Sequence, residues 1–347
     1  MKIVIDKAIP FIEGVLDPYA EVLYKDCEDI THNDLIDADA LIIRTRTRCN
    51  AALLEGTSVK MIATATIGTD HIDMDYCREK GILVRNAPGC NSGGVMNYVF
   101  SALYGVAARK GMDLHGLTFG IIGVGNVGRK VESMARVLGF NVLLNDPPRE
   151  AAEGSSTFCS LDHLLKCSDI VSIHAPLNDG TRRMANAAFF DKMKLGAIFI
   201  NSARGEIVVD EDLIEAAPKL GPIVIDTWNN EPDINLRLLQ TVDVATPHIA
   251  GYSHQGKQNG TAAAVRAVAR FFDIKDLFNF FPTDGIRELE AVKLDLVDKS
   301  QGQIASVFQY NYPIFTDDFL FRVNPSAFEE LRKNYSYRRE FYIDRSL

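Results

Sequence analysis

Short apolar runs alternate with amphipathic stretches along most of this chain. In the first third, apolar runs at 2–6, 21–25, 40–45, 59–66 and 82–86 read as strands, with helical stretches between them, for example 33–37 and 73–80. Strand–helix alternation of this kind predicts a parallel sheet covered by helices on both faces. A long helix is expected over 92–110, where Val95, Tyr98, Val99, Ala102 and Leu103 recur at helical spacing and Gly111 supplies the stop. The alternation then restarts with strands at 117–122, 141–145, 170–174, 197–201, 223–226 and 242–246, enough for a full doubly wound sheet. A helix over 261–272, with Ala264, Val265, Val268, Ala269 and Phe272 on one face, is expected to return to the first domain.

After Pro282 the pattern changes. Residues 291–297 alternate with period two, 303–308 and 327–335 read as helices, and Ser326 with Glu329 has capping-box spacing. So short a tail holds a marginal core by itself and should lean on a neighbour. The expected fold is α/β: two doubly wound parallel-sheet (Rossmann-like) domains flanking a cleft, plus a small α+β C-terminal domain. The expected boundaries are 1–92 with 252–281 for a flavodoxin-like substrate domain, 93–251 for a dinucleotide domain, and 282–347 for the tail.

Composition narrows the function. Apolar residues make up 47% of 347, enough for large cores, and the formal charge is −9. Such a chain lacks the global basic field that draws nucleic acid or an anionic membrane, so an anionic metabolite would need a local basic pocket. The six cysteines show no C-x-x-C pair and read as reduced thiols of a cytoplasmic protein. The opening MKIVIDKAIP is broken by charge and Pro10, unlike a signal peptide, and no apolar run approaches the roughly 20 residues that span a bilayer. No metal-ligand spacing, G-x-S-x-G or Cys/His nucleophile pattern occurs, so no metal is expected.

Gly123-Val-Gly125-Asn126-Val127-Gly128 follows a strand and opens a helix. Gly123 allows the tight turn, Gly125 lets a pyrophosphate approach the backbone, and Gly128 lets helix and strand pack closely. The next strand ends at Asp146, whose carboxylate would accept from ribose hydroxyls and repel a 2′-phosphate, favouring NAD over NADP. Three further segments stand at predicted strand ends, where such sheets bind ligands: Asn201-Ser202-Ala203-Arg204-Gly205, Asp226 to Glu231-Pro232, and Thr246-Pro247-His248 to Gly251. Alcohol oxidation needs a base for the hydroxyl proton, a carboxylate to fix that base's tautomer, and a planar cation for a substrate carboxylate; His248, Glu231 and Arg204 suit these roles in that order. Arg44, Arg46 and Arg48, three cations in five residues, form a candidate phosphate pocket.

Together, Gly123–Gly128, Ser202-Ala203-Arg204-Gly205, Glu231-Pro232 and Pro247-His248 resemble the D-2-hydroxyacid dehydrogenase family. The resemblance implies catalysis by Arg204, Glu231 and His248. It implies cofactor contacts at Gly123, Gly125, Asn126, Val127, Gly128, Asp146, Ala175, Ser202, Ala203, Arg204, Asp226 and Gly251, and substrate contacts at Arg44, Thr45, Arg46, Thr66 and Tyr252. Segments 63–73, 87–91, 251–257 and 328–340 are similar to one branch of that family. This implies NAD-dependent oxidation of 4-phospho-D-erythronate to 3-hydroxy-2-oxo-4-phosphobutanoate on the route to pyridoxal 5′-phosphate, by a homodimer built through the C-terminal domain. The alternatives are a relative acting on 3-phosphoglycerate and a non-catalytic NAD(H)-sensing corepressor-like protein. Two positions depart from the family pattern: Asn97 stands where relatives carry Glu, and Ala175 where a hydroxyl residue is common. The tail cations Arg332, Lys333, Arg338 and Arg339 read as a salt-bridged helix face, with reach into a partner's cleft as the alternative. His174 reads as structural.

Overall fold

A computed structural model describes residues 1–154, 156–283 and 290–343. The chain forms two compact units, Met1–Asn91 with Ser253–Glu290, and Ser92–Tyr252 with Ala291–Leu347. The expected tail, 282–347, includes 284–289 and 344–347, which lie outside the described residues.

The first unit is a five-stranded sheet of β1 (Lys2–Asp6), β2 (Glu21–Lys25), β3 (Ala40–Ile43), β4 (Met61–Thr64) and β5 (Leu83–Arg85). All pairings are parallel, in the order β2-β1-β3-β4-β5. The inner strands β3 and β4 are buried at every residue, which is why they read as unbroken apolar runs while the edge strands do not. The helix His254–Phe271 packs Ala264, Val265, Val268 and Ala269 into this unit's core. It begins seven residues before the expected 261. Ser253 caps it, its Oγ accepting from Gly256 N at 3.0 Å. Gly260 within the helix has a packing reason: a Cβ there would stand 2.4 Å from the Ala65 carbonyl oxygen.

The second unit holds the six expected strands, β6 (Thr118–Ile122), β7 (Asn141–Asn145), β8 (Ile170–Ile173), β9 (Ile198–Asn201), β10 (Ile223–Ile225) and β11 (Val244–Ala245), all parallel. Their order is β11-β10-β9-β8-β6-β7, so the winding reverses at β6, the position where such sheets open a ligand crevice at the strand carboxyl ends. The helix Ser92–Lys110 has the expected limits, and Gly111 ends it at φ +63°. Its residues are buried continuously from Ser92 to Ala107, more than a one-sided amphipathic stripe predicts, because the tail covers its outer face.

The tail belongs to this second unit. The expected strand over 291–297 contracts to β12 (Val292–Leu294), paired in parallel with β13 (Phe341–Ile343), which periodicity did not reveal. Helices run over Gln301–Asn311, Ile314–Val323 and Phe328–Lys333; the second has no counterpart in the sequence reading. The capping box expected at Ser326 and Glu329 does not form, since the Ser326 hydroxyl turns to Asn324 Oδ1 at 2.7 Å. The box occurs instead at Ser300 and Gln303. Phe308, Phe321, Phe328 and Phe341 are fully buried in the second unit's two cores, so the tail gains the stability its own size denies it. Among the described residues no helix is long and apolar enough to cross a membrane.

Candidate active site

The glycine turn between β6 and the helix Asn126–Val137 has three steric requirements. Gly123 adopts φ +84°, and a Cβ there would lie 2.5 Å from Ala175 N. A Cβ on Gly128 would stand 2.1 Å from the Gly123 carbonyl oxygen. Above Gly125, by contrast, there is open space for 4 Å, and this residue begins the helix with no side-chain cap. The first-turn N–H groups of that helix therefore face a gap that an anion can enter. Asp146, at the end of β7, accepts from Val124 N at 2.7 Å and from Arg149 N at 3.0 Å, capping the helix Pro147–Glu153. A carboxylate has further lone pairs, so ribose hydroxyls can still donate to it. Ala175 is buried beside Gly123, and the Ser202 hydroxyl is buried without a partner among the described residues. An open glycine cradle, an acidic strand end and an orphaned hydroxyl fit a dinucleotide.

The loops after β9, β10 and β11 meet at the carboxyl end of the same sheet. Asn201, fully buried, accepts from Ala203 N at 3.1 Å and donates to the Arg204 carbonyl at 3.0 Å, shaping the turn that carries Arg204. Gly205 then packs so closely that a Cβ would fall 1.9 Å from the Trp228 carbonyl carbon. Trp228 donates its backbone N–H to Glu231 Oε1 at 2.9 Å and its indole N–H to the Thr246 carbonyl at 2.9 Å. The loop bearing Glu231 is thus held against both its neighbours.

Glu231 Oε2 lies 2.8 Å from His248 Nδ1. Desolvation pushes Glu231 upward, but the His248 charge, the hydrogen bond to it and the Trp228 N–H outweigh that effect and hold the carboxyl below its usual range. With Nδ1 committed to a carboxylate, Nε2 is the nitrogen that can exchange a proton. His248 itself sits at φ +55°, a conformation that costs a non-glycine residue free energy and needs support from its surroundings. Asp226 gives part of that support. Almost wholly buried, it accepts from Thr246 Oγ1 at 2.7 Å, Ile249 N at 2.8 Å and Ala250 N at 3.0 Å. Burial raises its carboxyl above the usual range, against the opposing pull of His248 and these donors.

Tyr252 closes this loop, its N–H donating to the Ile249 carbonyl at 2.8 Å and its ring packing on Tyr335 and Tyr337 of the tail. The tail cations are not one surface face. Arg332 pairs with Glu329 at 2.9 Å and lies 6.0 Å from the Tyr252 ring, while Arg338, beyond the helix, turns inward onto backbone carbonyls. Asn201, Trp228 and Thr246 lie within the segments singled out in the sequence and Arg338 among the tail cations, but the supporting role of each was not read there. A buried polar type directly at a strand end was the available signal for Asn201 and Thr246.

In the first unit, Arg44 binds buried Asp6, Nε to Oδ2 at 2.8 Å, so this cation is already paired at its base. Thr45, Arg46 and Arg48 are exposed. Thr66 Oγ1 lies 2.7 Å from Thr64 Oγ1. His174, half-buried, lies 2.9 Å from Ser172 Oγ through Nε2. No group of His, Cys, Asp and Glu among the described residues has a metal-binding arrangement.

Comparison with known proteins agrees with this geometry. The family model for the D-isomer specific 2-hydroxyacid dehydrogenase, NAD binding domain, matches residues 101–250. The erythronate-4-phosphate dehydrogenase of Bacteroides fragilis (strain ATCC 25285) is 46% identical, over 98% of this chain and 97% of that one. That of Escherichia coli O157:H7 is 37% identical, over 98% and 92%. Among solved structures, D-lactate dehydrogenase from Aquifex aeolicus, complexed with NAD and lactic acid, is similar with TM-score 0.68 and 26% identity, over 81% of this chain and 98% of that one. NAD-bound 3-phosphoglycerate dehydrogenase of Entamoeba histolytica gives TM-score 0.67 and 26% identity, over 79% and 96%.

Proposed function

Because the chain belongs to the erythronate-4-phosphate dehydrogenase family of D-2-hydroxyacid dehydrogenases, we propose that it oxidises 4-phospho-D-erythronate at C2 to 3-hydroxy-2-oxo-4-phosphobutanoate, a step toward pyridoxal 5′-phosphate. The observation that carries the chemistry is the 2.8 Å contact between His248 Nδ1 and Glu231, at the carboxyl end of a sheet with a dinucleotide turn. The cofactor is NAD, which when bound supplies the hydride acceptor.

In this reading His248 Nε2 takes the C2 hydroxyl proton, Glu231 fixes the ring's tautomer and favours the imidazolium that forms, and Arg204 orients the substrate carboxylate through its planar fork. Asp146 binds the adenosine ribose and disfavours a 2′-phosphate. Cofactor contacts are assigned to the turn Gly123, Gly125, Asn126, Val127 and Gly128, and to Ala175, Ser202, Ala203, Asp226 and Gly251. Substrate contacts are assigned to Arg44, Thr45, Arg46, Thr66 and Tyr252. The domain roles follow: 1–92 with 252–281 for substrate, 93–251 for NAD, and 282–347 for assembly. Six free thiols suit a cytoplasmic setting. A homodimer is supported by Tyr310, Phe319, Leu320 and Val323, apolar side chains left exposed on adjoining tail helices.

The test is NADH formation by the purified protein with 4-phospho-D-erythronate and, in parallel, 3-phosphoglycerate. A higher kcat/KM for the four-carbon acid is expected. Preference for 3-phosphoglycerate would reassign the substrate, and no reduction with either would remove the enzymatic reading.

A further inference from the structure

The loop after His248 is held from two sides by opposite charges. Asp226 takes the N–H groups of Ile249 and Ala250. Arg338, from the tail, takes the carbonyls of the same two residues: Nη1 donates to Ile249 O at 3.1 Å and Nη2 to Ala250 O. Nη1 also donates to Tyr252 O at 2.9 Å, and Nη2 to Gly94 O at 3.1 Å. The guanidinium lies 3.9 Å from the Tyr312 ring centroid, and Nη1 reaches the Tyr335 hydroxyl at 3.2 Å, which in turn donates to Asp317 at 2.9 Å. Its Nε is shut off from solvent. One side chain therefore binds backbone near two of the three points where the chain passes from one unit to the other, just after Asn91 and at Tyr252.

We propose that Arg338 is a positioning residue for the dehydrogenase reaction: it locks the 249–252 backbone and so holds His248 and Tyr252 in working geometry. The proposal rests on the reading of His248 as proton acceptor. Its physical basis is the positive φ of His248, which persists only where neighbouring bonds over-determine it. Asp226 fixes the donor side of the following peptides and Arg338 the acceptor side. Only a planar fork with several donors can meet these diverging carbonyls; a lysine, a point charge on a flexible stem, cannot.

The experiment compares wild type, Arg338→Lys and Tyr335→Phe by three readouts: steady-state kinetics with 4-phospho-D-erythronate, NAD affinity by titration, and amide hydrogen exchange over 248–253. For Arg338→Lys, kcat should fall at least tenfold, NAD affinity should stay within twofold, and exchange at 249–252 should quicken at least tenfold. Wild-type turnover and exchange in Arg338→Lys overturn the proposal. Equal loss of NAD affinity and turnover also overturns it, since that marks general unfolding. If Arg338→Lys does not fold, Tyr335→Phe decides: at least threefold faster exchange at 249–252 supports the clamp, and none overturns it. Absence of turnover in wild type would instead remove the functional reading, while the exchange data still judge Arg338.

Discussion

His248 and Glu231 occupy separate loops, yet each is fixed by contacts within the protein: Glu231 by the Trp228 N–H and His248 by its bond to Glu231. Their substitutions should therefore affect chemistry and spare binding. His248→Ala should lower kcat by about 10²–10⁴-fold, the usual worth of a general base, with NAD affinity unchanged on titration. Lost cofactor affinity with turnover preserved would contradict the assigned role. Asp146→Ala should relax the preference for NAD over NADP, read as the ratio of kcat/KM values, and cost about 1 kcal/mol because the carboxylate also caps the helix Pro147–Glu153. His174 makes a pH prediction of a different kind. Desolvation pushes its imidazole down from 6.5 to about 3. As pH falls through this interval the unfolded chain gains a proton that the folded chain refuses, so stability is lost on acidification. His174→Gln should flatten that loss, visible as urea midpoints at pH 7 and pH 5 that lie closer together than in the parent.

Among the elements, the helix Ser92–Lys110 shows what a sequence can and cannot disclose. Its limits were legible because apolar spacing and a stop glycine are local signals. Its burial on all sides from Ser92 to Ala107 was not, because that depends on residues two hundred positions away. Gly93 and Gly105 within it, and the departure from the family pattern at Asn97, have their reasons in the tail. A Cβ at Gly93 would run into the Glu340 carboxylate, and one at Gly105 into Gln309 and Phe315. Asn97 donates to the Phe341 carbonyl at 2.7 Å and accepts from its N–H at 3.0 Å, mimicking a neighbouring strand for β13. Asn97→Leu should leave both buried backbone groups unpaired and cost about 1–3 kcal/mol for each, measured by denaturant unfolding. A change below about 0.5 kcal/mol would show that the bonds are replaced elsewhere. The candidate catalytic residues were legible for the same reason as the helix: they lie at strand ends within short motifs. The residues supporting them were not, since Trp228, Thr246 and Arg338 gain meaning only when separate loops are brought together.

At the scale of the whole molecule, the tail converts an exposed flank into shared core. Asp318 accepts from Ala245 N at 2.7 Å, and Arg322 donates to the carbonyls of Leu239 and Val242, so the edge strand β11 is covered by side chains in place of another strand. What the tail leaves uncovered is apolar, with Phe319 at 63% and Tyr310 at 88% exposure. Phe319→Glu should shift a self-associating population toward single chains, with a lower mass by light scattering at micromolar concentration. An unchanged mass would move the contact surface elsewhere. The pairing of Asn97 with Phe341 also has a timing consequence. The two are separated by 244 residues. At a synthesis rate of about 5–20 residues per second, Asn97 waits roughly 12–50 seconds on the ribosome for its partner to be made. Only in the last part of that interval, from residue 251 to residue 341, is the nascent dinucleotide-binding region complete in sequence while still lacking its cover, leaving a flank on which a chaperone could act.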